Sequence, residues 1–191
     1  MNKTNIKQSR DRVFSVLAVV GTLTVGALFT LPNAEASQPV PATFSSTDCE
    51  HIISQEPRGP NTIITLSITA CFHGTFEGMY VGTERDEIHP NGTFATGQGS
   101  GVFSGTVNGR SGTCVFSYQV NVGVANPAIW VVDQGTGDLA GLSGQGRQQF
   151  VSEDGPGCPG SGFDCVDCPP PTGTCDDSFT LDNVGQIQFA P

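Results

Sequence analysis

The feature that most constrains this chain is a two-residue rhythm of apolar and polar side chains, broken at short intervals by turn residues. From Cys114 to Val122, the residues Cys114, Phe116, Tyr118, Val120 and Val122 fall on one face, and Val115, Ser117, Gln119 and Asn121 on the other. Between Thr62 and Phe72 the same rhythm sets Ile64, Leu66, Ile68, Ala70 and Phe72 against Thr65, Ser67, Thr69 and Cys71. Successive strand residues point to opposite faces, so each run offers one face to a core and one to solvent. Asn91-Gly92 and Asn108-Gly109 stand between such runs, and Asn-Gly favours the type I′ hairpin because both central residues take positive φ. Ala125-Asn126-Pro127 and Gly135-Thr136-Gly137 mark two further reversals. The pattern predicts strands over 62–72, 74–88, 93–107, 110–122, 128–134 and 139–151, with a first strand near 42–49 and a last near 179–189. Nothing between about 42 and 152 has the caps or the apolar stripe of a helix.

Short links between neighbouring strands imply an antiparallel meander. The expected fold is all-β, an eight-stranded antiparallel up-and-down barrel, because closure removes exposed edges. A two-sheet sandwich is the alternative. A two-residue hairpin at Asn108-Gly109 sets Val107 opposite Arg110, Phe103 opposite Cys114 and Gly101 opposite Phe116. Opposed residues share a face, so Phe103 and Phe116 point inward and Arg110 sits on the same face at a barrel mouth.

The ends of the chain read differently. Residues 1–36 run from a basic segment with Lys3, Lys7, Arg10 and Arg12, through apolar Val13–Leu31, to Pro32 and Ala34-Glu35-Ala36. That order is a secretory signal peptide with cleavage after Ala36, which leaves 37–191 as a single barrel domain. The expected location is secreted or periplasmic in a bacterium, with no stable membrane insertion after cleavage. The mature chain keeps four arginines against sixteen acidic residues, a net charge of −12. Such a chain has no electrostatic route to nucleic acid, and its charge serves solubility.

All seven cysteines lie beyond residue 36, and an exported chain meets an oxidising compartment. Seven is odd, so at least one thiol stays free or bonds between chains. Cys71 and Cys114 fall on opposite strand faces, which argues against their pairing. Residues 153–178 carry Cys158, Cys165, Cys168 and Cys175 among Gly, Pro and Asp, and read as a Cys-rich loop before the last strand. Two disulfides within that loop are expected. A four-thiolate zinc knot is the competing reading, and no metal site or cofactor is assigned.

The chain shows no Ser-His-Asp or Cys-His arrangement, and Gly141-Leu142-Ser143-Gly144 lacks the strand–turn–helix context of a nucleophile elbow. Whether it is an enzyme stays open. Tyr118 and Arg110, on the inferred inner face of one strand, are ligand-binding candidates. A phenol inside a barrel and a guanidinium at its rim suit an apolar molecule with an anionic end. Both also have plain structural uses: core packing for Tyr118 and turn capping for Arg110. Glu84, with Glu77 and Asp133, could supply an interior acid or base. His51, His73 and His89 are scattered. Asn91-Gly92-Thr93 fits a glycosylation acceptor, but its turn explains it.

Two segments resemble a family signature: Gly135-Thr136-Gly137-Asp138-Leu139-Ala140-Gly141-Leu142-Ser143-Gly144-Gln145-Gly146, and Gly105 to Thr113. Both are similar to the allene oxide cyclase-like barrel superfamily, nearest its bacterial branch of unassigned function and more distantly the plant dirigent proteins. The resemblance implies an eight-stranded barrel with an interior cavity and frequent self-association, so a homo-oligomer is expected. In characterised relatives polar groups inside the barrel act on small reactive apolar molecules. The Cys-rich loop is no part of that pattern. The expected function is a secreted barrel that binds a small apolar molecule, whether as a binder or as a cyclase-like or stereo-directing protein. The alternative is a non-catalytic extracellular interaction or structural protein, and a metal-dependent cysteine module comes third.

Overall fold

A computed structural model describes residues 37–121, 128–153 and 175–190, with the backbone alone for Phe94 and Ala95. The expected signal peptide, the reversal at 125–127 and Cys158, Cys165 and Cys168 lie outside the described residues. Eight strands form a closed antiparallel barrel in simple sequence order. They are β1 (Val40–Arg58), β2 (Asn61–Gly74), β3 (Phe76–Ile88), β4 (Phe94–Val107), β5 (Arg110–Asn121), β6 (Ala128–Asp133), β7 (Leu142–Glu153) and β8 (Asp177–Phe189). One 3₁₀ turn, Gly137–Leu139, precedes β7. β1 closes the barrel by pairing with both β2 and β8.

The hairpin at Asn108-Gly109 has the expected form. Both residues take positive φ, 49° and 78°, and Val107, Phe103 and Gly101 oppose Arg110, Cys114 and Phe116. The Asn91-Gly92 turn does not. Of its pair only Gly92 has positive φ, because Pro90 widens the connection. Gly92 N–H donates to the His89 carbonyl at 2.9 Å and His89 N–H to the Thr93 carbonyl at 2.8 Å. A register shift follows at Glu87/Ile88.

The first strand is much longer than its expected 42–49 span. β1 runs to Arg58, and Gly59 at φ 62° turns the chain into β2. Its pairing with β8 ends at Glu50, while its pairing with β2 continues to Arg58. Residues 51–58 thus have no second strand partner among the described residues, which is where a proline such as Pro57 can sit without removing a ladder hydrogen bond.

The barrel has two unlike ends. The end formed by the β2–β3, β4–β5 and β6–β7 connections is packed with rings. Phe44, Phe72, Phe76, Phe103, Phe116 and Trp130 are all buried. Their centroids lie 4.8 Å (Phe44–Phe76) to 6.5 Å (Phe72–Phe76) apart where they touch, the spacing of favourable aromatic pairs. The glycine-rich signature builds this end. Leu139 and Leu142 are buried, and a Cβ at Gly146 would fall 2.4 Å from the Trp130 ring. Those glycines make room for the single tryptophan, whose Nε1–H donates to the Arg147 carbonyl at 3.2 Å.

Candidate functional site

At the opposite end the inner face turns polar. β1 alternates Ala42, Phe44, Ser46 and Asp48, all buried, and then Glu50, half-buried. β3 alternates Phe76, Tyr80, Glu84 and Asp86, all buried. The same two-residue phase that fills one end with rings therefore carries four carboxyl groups into the other. β5 adds Tyr118, and β7 and β8 add buried Gln148 and Asn183 to the inner face. β2 contributes apolar Leu66 and Ile68, while β4 contributes side-chain-free Gly99 and Gly101.

The central contact is a short hydrogen bond. The Tyr118 hydroxyl donates to Glu84 Oε2 at 2.6 Å, across β4. Gly99 permits it, since a Cβ there would lie 2.2 Å from Tyr118 Cζ. Gly82 does the same for Tyr80, whose hydroxyl would lie 2.2 Å from an added Cβ. Tyr80 therefore leans along β3 toward the carboxyls, and its ring centroid is 6.3 Å from that of Tyr118. A groove of about 600 Å³ crosses the outer face of β3–β6, and Glu84, Gly99 and Tyr118 form part of its wall.

Among the described residues no arginine compensates these acids. Arg58, Arg85, Arg110 and Arg147 are all exposed, and Arg85 points away between Glu84 and Asp86. Burial consequently disfavours the charged forms. Asp48 is pushed up to about 7 by burial, against the nearby Ser46 hydroxyl that lowers it and with the Glu84 charge adding to the rise. Burial, then the charges of Glu84, Asp48, Asp86 and Asp177, raise Glu50 to about 9. Burial and the adjacent Glu84 raise Asp86 to about 8. Both phenols are held well above the ordinary tyrosine range by burial and the nearby carboxylates. Several buried polar atoms have no hydrogen-bond partner among the described residues: Tyr80 Oη, Asp48 Oδ1, Asp86 Oδ1 and both amide atoms of Asn183.

The candidates from sequence divide. Tyr118 and Glu84 meet directly. Arg110 does not join them: it sits at the ring-packed end, with Cζ 4.0 Å from the centroid of Phe189. Seven residues of extended strand separate Arg110 from Tyr118, so sharing a face did not mean sharing a site. Glu77 and Asp133 are exposed on the outer side. Glu77 instead holds the β2–β3 turn, accepting from Gly74 N–H at 3.1 Å and meeting His73 Nδ1 at 2.9 Å. The three histidines lie in three different places, and among the described residues no group of His, Cys, Asp and Glu converges as metal ligands.

Cys175 is disulfide-bonded, but to Cys49 on β1, with Cα atoms 5.3 Å apart. This corrects the expected pairing of Cys175 within the loop. Long-range strand closure brings β8 against β1, where Cys49 opposes Ser178. The bond anchors the start of β8 beside Glu50: Asp176 N–H donates to the Glu50 carbonyl at 2.8 Å, and Asp176 Oδ2 accepts from Ile52 N–H at 2.8 Å. Cys114 is a free thiol buried on the inner face, pushed up to about 12 by burial and then by Asp133, which leaves it unreactive.

Asp48, Glu50, Asp86, Tyr80 and Asn183 were not singled out from sequence. Counting by twos from Phe44 reaches Asp48 and Glu50, yet a polar half-strand reads equally well as solvent-facing.

A family model described as protein of unknown function (DUF3224) matches residues 41–156. Among solved structures, the fold is similar to that of a protein of unknown function from the DUF3224 family of Shewanella oneidensis MR-1. That similarity has 14% identity and a TM-score of 0.55, over 81% of this chain and 99% of the other. No curated protein matches this chain.

Proposed function

This chain belongs to the DUF3224 family, and from its geometry we propose that it is an exported barrel that binds a small, largely apolar molecule at its carboxyl-lined end. The observation that carries the reading is the Tyr118–Glu84 hydrogen bond at 2.6 Å, set among buried polar atoms that lack partners. Buried polar groups normally find hydrogen bonds, and leaving one unmade costs about 1–3 kcal/mol. A site that keeps several of them open, beside apolar Leu66, Ile68 and Phe116, is suited to a ligand that supplies the missing partners. Aromatic rings fill the opposite end. The ligand therefore occupies only the carboxyl half of the barrel, and Arg110 takes no part. The resemblance of residues 105–113 and 135–146 to allene oxide cyclase-like barrels, a sequence expectation, is in keeping with an interior ligand. The signal-peptide pattern of residues 1–36 and the Cys49–Cys175 disulfide support export to an oxidising compartment.

Native mass spectrometry of the exported chain, before and after denaturation, tests the binding reading. The expected result is an added mass that denaturation releases and that Glu84→Gln diminishes. A ligand-free chain for which no small molecule raises the melting temperature in a Glu84-dependent way would overturn it.

A second reading rests on the outer wall. Val81, Val102, Ile129 and Val131 are roughly half exposed, at 50%, 50%, 51% and 44%. These aliphatics on neighbouring strands favour a non-catalytic interaction surface. A change in solution mass on Val102→Glu would support it, and an unchanged monomer would count against it.

A further inference from the structure

Four carboxyl groups, Asp48 and Glu50 from β1 with Glu84 and Asp86 from β3, face inward at one end of the barrel. Among the described residues no positive charge faces them. The four arginines of the described residues are all exposed. Removing like charges from water without a counter-charge is costly, and the remaining inner-face neighbours do not help. Leu66 and Ile68 are apolar, Tyr80 and Tyr118 are neutral phenols, and Gln148 and Asn183 are amides. Asp177, the next charge along β8, is itself acidic.

The second observation is independent of the acids. The Tyr80 hydroxyl is buried, its residue being 1% exposed, and among the described residues it makes no hydrogen bond of full geometry, with only the Tyr118 phenol interacting with it from the side. It reaches over Gly82, on the path from Tyr80 to Glu84. Asp48 Oδ1 and Asp86 Oδ1 are likewise without partners. The unpartnered atoms here include acceptors, the Asp48 and Asp86 carboxyl oxygens and Asn183 Oδ1, and also the Ser46 and Tyr80 hydroxyls and Asn183 Nδ2, with two tyrosine rings beside them. A buried carboxyl cluster with aromatic walls and no counter-charge is complementary to a group that brings a positive charge and N–H donors of its own. A metal ion is the poorer match, because these oxygens do not converge as ligands.

We propose that the ligand of the carboxyl-lined end is an organic amine in its ammonium form, carried on a small apolar body. The inference rests on the small-molecule reading above and adds the charge of the ligand. The ammonium pairs with the carboxyl cluster through Glu84, with the Tyr80 and Tyr118 rings alongside. Binding then draws a proton off the carboxyl cluster, because an ammonium favours the carboxylate form. Affinity consequently rises with pH until the amine itself loses its proton.

Isothermal titration of the oxidised mature chain with three probes of one shape tests this: phenethylamine, 2-phenylethanol and phenylacetate. The buried indole of Trp130, the register neighbour of Tyr118 on β6, supplies a parallel fluorescence readout. The expected result is phenethylamine binding at least about tenfold more tightly than the alcohol, with phenylacetate weakest, as charge complementarity requires. Its affinity should increase between about pH 6 and pH 8, and its heat should vary with buffer ionisation as a proton is released. Glu84→Gln and Asp48→Asn should each weaken the amine roughly tenfold while leaving the alcohol within about twofold. Both variants remove a buried acid and so should fold at least as stably as the parent, which circular dichroism verifies. Equal binding of amine and alcohol, or tighter binding of phenylacetate, would overturn the amine inference and leave the small-molecule reading standing. No binding of any probe, together with no retained mass in the native spectrum, would overturn both.

Discussion

The two ends of this barrel are built from the same strands with the same alternation, and they do opposite things. At one end β1 and β3 direct Phe44 and Phe76 inward, and the rings close on one another with nothing left to satisfy. At the other, the same strands in the same phase direct Asp48, Glu50, Glu84 and Asp86 inward, and hydroxyl, carboxyl and amide groups are left without partners. One end spends its inner face on dispersion and apolar burial. The other gives up that stabilisation to hold polar groups in a shielded place, the arrangement expected where function rather than folding selected the residues.

The largest effect should come from breaking the ring-packed end. Phe116→Ala removes a fully buried ring that touches Phe44, Phe72 and Trp130. A loss of about 3–5 kcal/mol is expected in denaturant unfolding. Losing less than about 1 kcal/mol would mean that this end is looser than its packing.

The disulfide belongs to the carboxyl end. Cys49→Ser with Cys175→Ser opens a bond between residues 126 apart in sequence. It should cost about 2–4 kcal/mol, measured by the same unfolding curves in oxidising buffer. An unchanged midpoint would show that strand pairing alone holds β8 to β1 at this end.

Acidity separates the ends most sharply. Asp48, Glu50 and Asp86 bind protons more tightly in the folded chain, at about 7, 9 and 8, than at their ordinary 3.8 and 4.5. The folded state therefore holds more protons than the unfolded one between those limits, and unfolding free energy falls as pH rises. The stability is fully present near pH 4 and below, and is lost progressively as pH rises through about 7 to 9. A fall of about 2 kcal/mol or more is expected between roughly pH 5 and pH 9. Asp48→Asn should flatten part of that slope, whereas Phe116→Ala should shift the whole curve and keep its shape. A pH-independent stability would refute the buried carboxyl cluster.

The smallest effect should be Arg110→Ala. It removes an exposed cation from the face of Phe189 and is expected to cost less than about 1 kcal/mol. It should leave both the pH slope and ligand affinity unchanged. A change in affinity would reconnect the two ends and revive the pairing of Arg110 with Tyr118.

What the sequence by itself determined is local. The alternation of Cys114–Val122 and of Thr62–Phe72 displayed the strands and their buried faces, because side-chain direction in a strand depends only on parity. The Asn108-Gly109 turn set the β4–β5 register, because a two-residue hairpin leaves no freedom to slip. Tyr118 and Glu84 were readable as candidates by residue type and position. Tertiary structure alone decided where along the barrel each inward residue lies and what it meets. Gly78 and Gly82, where a bulge would reverse the phase, left the face of Glu84 open in the sequence; the register of β3 with β2 and β4 runs unbroken through both and carries Glu84 and Asp86 inward. Arg110 and Tyr118 shared a face but not an end, since parity carries no information about distance along a strand. The Cys49–Cys175 bond and the meeting of the β1 and β3 carboxyls depend on closure of β1 onto β8 and on the stagger between strands. That stagger is a property of the whole closed sheet, and no short stretch of sequence encodes it.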